Sequence, residues 1–373
     1  MLGLVLGVAG APAANAQSIN IPLQLAQSSG GIRLIVNIGI GDQAPRSYMF
    51  DTGSSLFNAA YSATAFGAIP SNMSAPSALY PDGLPTGVSY SYTSGNVYKG
   101  NLVSVPSLTF FPTSTGFSGG VTLNATTPAG APSGFVINAV YDRNSIDINT
   151  VVPLQSIPGV FTGIYGIFGA GDFANYRTGT DPGIPGVTPN TSRVVIGGVL
   201  GQAVVPGTTA GYVVAANGQP LSALQTGTGP NPGALVNGPQ VGQTVTSCSP
   251  CVMLGLTPAL LAQFAPNNTV NWLPQPANQP QTFPNSNAPS SIEFGTPMNF
   301  SASGHGQPSV SWNNQPTLLD SGTPTNPLNS TTADVSRLGT FDVNSGRFVL
   351  NNGTTLTITG TALGATPTTN TVV

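Results

Sequence analysis

Two short stretches carry one pattern: Met49-Phe50-Asp51-Thr52-Gly53-Ser54 and Leu318-Leu319-Asp320-Ser321-Gly322-Thr323. Each has two apolar residues, then Asp, a hydroxyl residue, Gly and a second hydroxyl residue. Ten aspartates occur in the chain, and only these two are followed by a hydroxyl residue and a glycine. The residue types make joint chemical sense. An apolar strand delivers each carboxyl to the floor of a cleft. Gly53 and Gly322 let the backbone turn sharply and approach the acid closely. Backbone N–H groups and the hydroxyls of Ser54 and Thr323 are then placed to hydrogen-bond the acids. Two carboxylates held side by side resist joint ionisation and share a proton. One takes a proton from water while the other polarises a carbonyl, which is general acid–base catalysis without a covalent intermediate. A single Asp-hydroxyl-Gly triplet would read as an ordinary turn. Two copies, each behind an apolar pair, outweigh that reading.

Working outward, the chain reads as all-β. Strands are expected at 32–38, 47–50, 88–93, 102–110, 194–196, 317–319, 347–350 and 354–358, separated by Gly, Pro and Asn turns. One helix is expected, with Thr257 as N-cap, Pro258 in the first turn and Pro266 as its stop. Residues 206–243 and 275–291, rich in Gly, Pro, Asn and polar residues, are expected to be long surface loops.

Composition narrows the class. Only 5% of residues are charged, the net charge is −3, and 40% are hydrophobic. That balance lacks the basic footprint of nucleic-acid binding and suits an extracellular, cell-surface or periplasmic protein. An apolar run at Leu2–Val8 and the small residues of Ala14-Asn15-Ala16 predict a signal peptide over residues 1–16, cut before Gln17. No Lys or Arg precedes the run, so the leader is expected to begin upstream of Met1. No later stretch is apolar and long enough to span a bilayer. The two cysteines, Cys248 and Cys251, admit three readings. A small-loop disulfide suits an oxidising compartment. A redox pair lacks its βαβ setting. A zinc site lacks ligands, since His305 is the only histidine.

The paired triplets make the chain resemble the pepsin-like aspartic proteases, and the resemblance extends to other landmarks in family order. Ile38-Gly39-Ile40-Gly41 resembles the hairpin that leads into the first catalytic loop. Gly166-Ile167-Phe168-Gly169 is similar to the apolar-apolar-Gly strand behind that loop. Val194-Val195-Ile196-Gly197-Gly198 resembles the strand that opens the second lobe. The resemblance implies a bilobal fold of two β-barrel-like lobes flanking a cleft, with few short helices. It assigns residues 17–190 to the first lobe and 191–373 to the second, with the second expected to be incomplete at Val373. It implies Asp51 and Asp320 as the catalytic pair, with Thr52 and Ser321 locking the two loops together through their hydroxyls. It implies a flap tyrosine on a β-hairpin, best matched by Tyr92, with Tyr90 and Tyr98 as alternatives. A tryptophan that would support the flap is absent; Leu56-Phe57-Asn58 stands there, so support for Tyr92 must come from elsewhere. No cofactor and no metal is implied. The expected partners are peptide or protein substrates, apolar around the cut site, and a monomer is favoured.

Other readings compete. A non-catalytic surface module on the same fold would bind peptides or glycans, although a pure binder has no need of two carboxylates. Gly116-Phe117-Ser118-Gly119-Gly120 matches the G-x-S-x-G form of serine hydrolases. The helix that such an elbow requires is not patterned after Ser118. Ser118 therefore reads as a loop residue and His305 as a surface histidine.

Overall fold

A computed structural model describes residues 17–28, 31–60, 88–92, 96–124, 135–143, 146–147, 164–171, 175–177, 194–196, 198–203, 205–215, 235–236, 251–259, 296–317, 336–343, 347–351, 353–360 and 368–372. Among these the chain is all-β, as expected, with short helical segments at Val199–Gln202 and at residues 258–259.

The first half contains β1 (Ile19–Pro22), β2 (Gln24–Ser28), β3 (Gly31–Ile40), β4 (Arg46–Asp51), β5 (Asn58–Ala60) and β6 (Val88–Ser91). It continues with β7 (Val97–Val105), β8 (Ser107–Phe111), β9 (Val121–Asn124), β10 (Phe135–Arg143), β11 (Ile146–Asp147) and β12 (Ile164–Gly169). One large sheet runs β2-β3-β4-β12-β5-β10-β7-β6. Two of its joins are parallel. Phe50 and Asp51 of β4 lie opposite Phe168 and Gly169 of β12, and Asn58 and Ala59 of β5 lie opposite Asn138 and Ala139 of β10. The order is not the order of the chain. β4 and β5 are joined directly by residues 52–57, yet β12, which comes a hundred residues later, is hydrogen-bonded between them.

That insertion explains the glycines of Gly166-Ile167-Phe168-Gly169. A Cβ on Gly169 would sit 2.5 Å from both the N and the O of Leu56. Gly166 has φ +148°, and a Cβ there would collide with the Asn58 carbonyl. Between them, Phe168 is fully buried and packs on Phe50, Phe57 and Phe110 at centroid separations of 5.9, 5.2 and 5.7 Å. Edge and stacked ring contacts at such distances add stability beyond the area they bury.

The period of two along each strand sorts side chains onto two faces. Tyr48, Phe50, Ala59, Ile137, Ala139 and Phe168 enter the main core. The alternate residues Met49, Ala60, Val140 and Ile167 form a second cluster with Tyr98, packed against Tyr92. Asp51, two residues after Met49, belongs to this second face.

Strands from both halves of the chain meet. Cys251–Leu256 pairs with β1 on one side and Thr209–Ala215 on the other. Val199, Leu200, Val252 and Leu254 share the core of Phe50 and Phe168. Further along, Thr296–Gly304 and Gln307–Thr317 form a hairpin that joins Thr355–Gly360 and Thr368–Val372 in a four-stranded sheet. Its core is Phe300, Ala302, Val310, Trp312 and Leu338.

Several expectations need correction. The strand expected at 102–110 is two strands, because Pro106 has no N–H to continue the ladder. The surface loop expected over 206–243 contains strands at Thr209–Ala215 and Leu235–Val236. Tyr212, Val213 and Val214 are strand formers, and pairing with 252–254 outweighs the glycines and prolines around them. His305 is exposed, as expected, but sits at a hairpin turn with φ 56° rather than in an open loop. Of the expected helix after Thr257, residues 258–259 are helical and 260–265 lie outside the described residues. The loop at 275–291 also lies outside them.

The close fit of Gly169 under Leu56 yields a stability prediction. Gly169→Ala should destabilise the fold by about 1–3 kcal/mol, since backbone rather than a flexible side chain must give way. Urea unfolding checks this; an unchanged midpoint would contradict the threaded arrangement.

Candidate functional site around Asp51

Asp51 ends β4, where β12 also stops, and is 5% exposed. Its Oδ1 accepts a hydrogen bond from the backbone N–H of Gly53 at 2.8 Å. The loop that follows is fixed by backbone bonds. Ala170 N–H donates to the Asp51 carbonyl at 2.7 Å, Gly171 N–H to the Ser54 carbonyl at 2.8 Å, and Gly198 N–H to the Ser55 carbonyl at 2.8 Å. The turn thus hangs on residues 170–171, just past β12, and on Gly198, the N-cap of the Val199–Gln202 helix.

The bond expected from the Ser54 hydroxyl to the acid is not made. Ser54 Oγ is buried and has no hydrogen-bond partner among the described residues. The loop is anchored through the Ser54 carbonyl instead. Thr52 is half-buried. Asp320, Ser321, Gly322 and Thr323 lie outside the described residues, so the second half of the expected pair is not placed, and neither is the lock between Thr52 and Ser321.

Tyr92 follows β6 in the hairpin with β7, and its N–H donates to the Asn96 carbonyl at 2.8 Å. It is partly buried, edge-on to Tyr90 at 4.9 Å and to Tyr98 at 5.2 Å. Its hydroxyl accepts a hydrogen bond of 2.7 Å from Asn58 Nδ2. The Tyr92 hydroxyl is thus tied to Asn58 at the start of β5, the strand that follows the Asp51 loop. Burial holds the Tyr92 phenol well above its ordinary pKa. Tyr98, Tyr90 and Asp51 push it in the same direction, and the Asn58 hydrogen bond opposes them.

Asn58 and Asn138 were not singled out from sequence. Both are fully buried, and Asn138 Nδ2 donates to Asn58 Oδ1 at 2.8 Å. A signal was present. Phe57-Asn58-Ala59 and Ile137-Asn138-Ala139 repeat one apolar-Asn-Ala pattern. Asn is poorly suited to a strand and must find partners when buried in one.

Cys251 is buried and disulfide-bonded, in keeping with the disulfide reading of Cys248 and Cys251; Cys248 itself lies outside the described residues. Ser118 is exposed in a turn, with no helix after it. Among the described residues, no three His, Cys, Asp or Glu side chains come together as metal ligands. No helix among them is long and apolar enough to cross a membrane.

No protein-family model and no curated protein sequence matches the chain. Solved structures similar to it include an aspartic proteinase from Irpex lacteus. The identity is 14% and the TM-score 0.43, over 94% of this chain and 77% of that one. A likeness of that size carries no functional argument.

Two phenols, of Tyr48 and Tyr92, give a pH prediction. Tyr48, like Tyr92, is raised above the ordinary value of about 10, by burial first, with Arg46 opposing and Tyr165 adding. Both stay protonated in the fold when an unfolded tyrosine would already ionise. The unfolded state then binds fewer protons, so stability present below about pH 10 falls as pH rises further. Urea midpoints should hold steady up to about pH 9.5 and then drop, with a shallower drop in Tyr48→Phe. An equal drop in that variant would contradict the assignment.

Proposed function

We propose that this chain is an aspartic endopeptidase in which Asp51 and Asp320 activate water between them to hydrolyse peptide bonds. The observation that carries the reading is the setting of Asp51. A buried carboxylate ends an apolar strand, accepts a backbone N–H from its own turn, and shares a sheet face with a hairpin tyrosine. The part of Asp320 rests on the second copy of the apolar-apolar-Asp-hydroxyl-Gly-hydroxyl pattern. Substrates of this reading are extended peptides with apolar residues around the cut. The mechanism requires one shared proton on the pair, so activity is expected in acid.

Export is part of the proposal. The apolar run and Ala14-Asn15-Ala16 support it, and so does the disulfide at Cys251, since disulfides persist in oxidising compartments.

The test is cleavage of an apolar peptide library at acid pH by the purified full chain. Asp51→Asn and Asp320→Asn should each lower kcat/KM by about 10²–10⁴-fold or more. Pepstatin, a statine-containing transition-state mimic, should inhibit the parent chain. Cleavage that persists in either variant would overturn the proposal. Tight pepstatin binding without any cleavage would favour the peptide-binding module instead.

A further inference from the structure

We propose that the Asn138–Asn58 carboxamide pair is the positioning device of Tyr92, holding the phenol oxygen as an acceptor so that its O–H remains for a bound peptide. The proposal rests on the peptidase reading for the identity of the ligand, though not for the hydrogen-bond geometry.

The chain of contacts is complete at Asn58. One Nδ2 hydrogen faces the Leu56 carbonyl at 3.3 Å and the other the Tyr92 hydroxyl at 2.7 Å, while Oδ1 accepts from Asn138 Nδ2 at 2.8 Å. A backbone carbonyl can only accept, so the end of the amide facing Leu56 must be the NH2 end, which fixes the flip. Tyr92 then receives a hydrogen bond and cannot give its own proton to Asn58. A phenol O–H lies in the ring plane on one side of the oxygen. With Asn58 on one side, the proton is directed to the other.

Both asparagines are held hard. Asn58 and Asn138 face each other in register across the parallel β5–β10 join, and Asn138 N–H donates to the Phe57 carbonyl at 2.9 Å. Room for the Asn138 carboxamide is made by Gly100 on β7. A Cβ there would collide with Asn138 Oδ1 and stand 2.6 Å from the Ala139 carbonyl. Asn58 is bonded at both ends of its amide, and Asn138 through its Nδ2. The residue they hold lies near enough to Asp51 to feel its charge.

A two-part experiment decides this. In the first part, side-chain amide resonances are followed in the full chain labelled with nitrogen-15. Tyr92→Phe should move the Asn58 Nδ2 signals and leave other asparagines outside the pair in place; unmoved Asn58 signals would overturn the proposal whether or not the chain cleaves peptides. In the second part, kcat/KM is compared for Tyr92→Phe, Asn58→Leu and the double variant. Each single change should cost about tenfold, the worth of one directed hydrogen bond, and the double no more than either. Equal added losses in both backgrounds would mark Asn58 as a packing residue only. If Asn58→Leu fails to fold, Asn58→Leu with Asn138→Leu replaces both amides by similar-sized apolar groups, and the same non-additivity with Tyr92→Phe is expected. A parent chain without cleavage would sink the peptidase reading alone, leaving the resonance shift to judge the device.

Discussion

The passage of residues 166–171 between β4 and β5 is the constraint on which the rest of the site depends. A strand that arrives late in the chain is laid between two strands already joined by a short loop, and the loop must then ride over it. Glycine at 166 and 169 is what that proximity demands. Once the strand is in place, its end supplies the N–H groups of Ala170 and Gly171 to carbonyls at either side of the Asp51 turn. Phe168 fastens the same strand into the aromatic core below. The carboxylate is therefore positioned by strands of the main aromatic core, through backbone groups that substitution of neighbouring side chains leaves intact. Preorganised groups of this sort cost no rearrangement when charge develops.

The two faces of the sheet divide the work. Phenylalanines and alanines on one face make the main core, and the other face carries Asn58 and Asn138 on neighbouring strands beside the smaller cluster of Ala60, Tyr98, Val140 and Ile167. Burying an amide in a sheet costs free energy unless its hydrogen bonds are made. Asn58 meets that condition in full. Ser54 Oγ and Asn138 Oδ1 do not, having no partner among the described residues.

Much of this could be read from the chain alone. Val194–Ile196 and Arg347–Leu350 fall where the sequence places strands, and Asp51 ends its strand as its apolar leader implies. The resemblance brought out Tyr92, and the structure gives it a partner at Asn58, in the stretch where the expected tryptophan is missing. What could not be read depended on distant pairing. The Cys251–Leu256 strand shows no alternation because side chains on both of its faces are buried, while β1 and Thr209–Ala215 take up its two edges. The Ser54 hydroxyl could not be placed from a motif, since its orientation follows from the loop's anchoring by residues far away in sequence. The Asn58–Asn138 pair needed the parallel register, which no local pattern encodes.

The measurement closest to the central claim is a carboxyl titration of the full chain carrying carbon-13 at the aspartate carboxyl. If Asp51 and Asp320 hold one proton between them, the Asp51 resonance titrates in two linked steps, because the pair rather than either acid binds the proton. Asp320→Asn should then reduce it to one step. A single Asp51 step that is the same with and without Asp320 would show that the two acids do not meet.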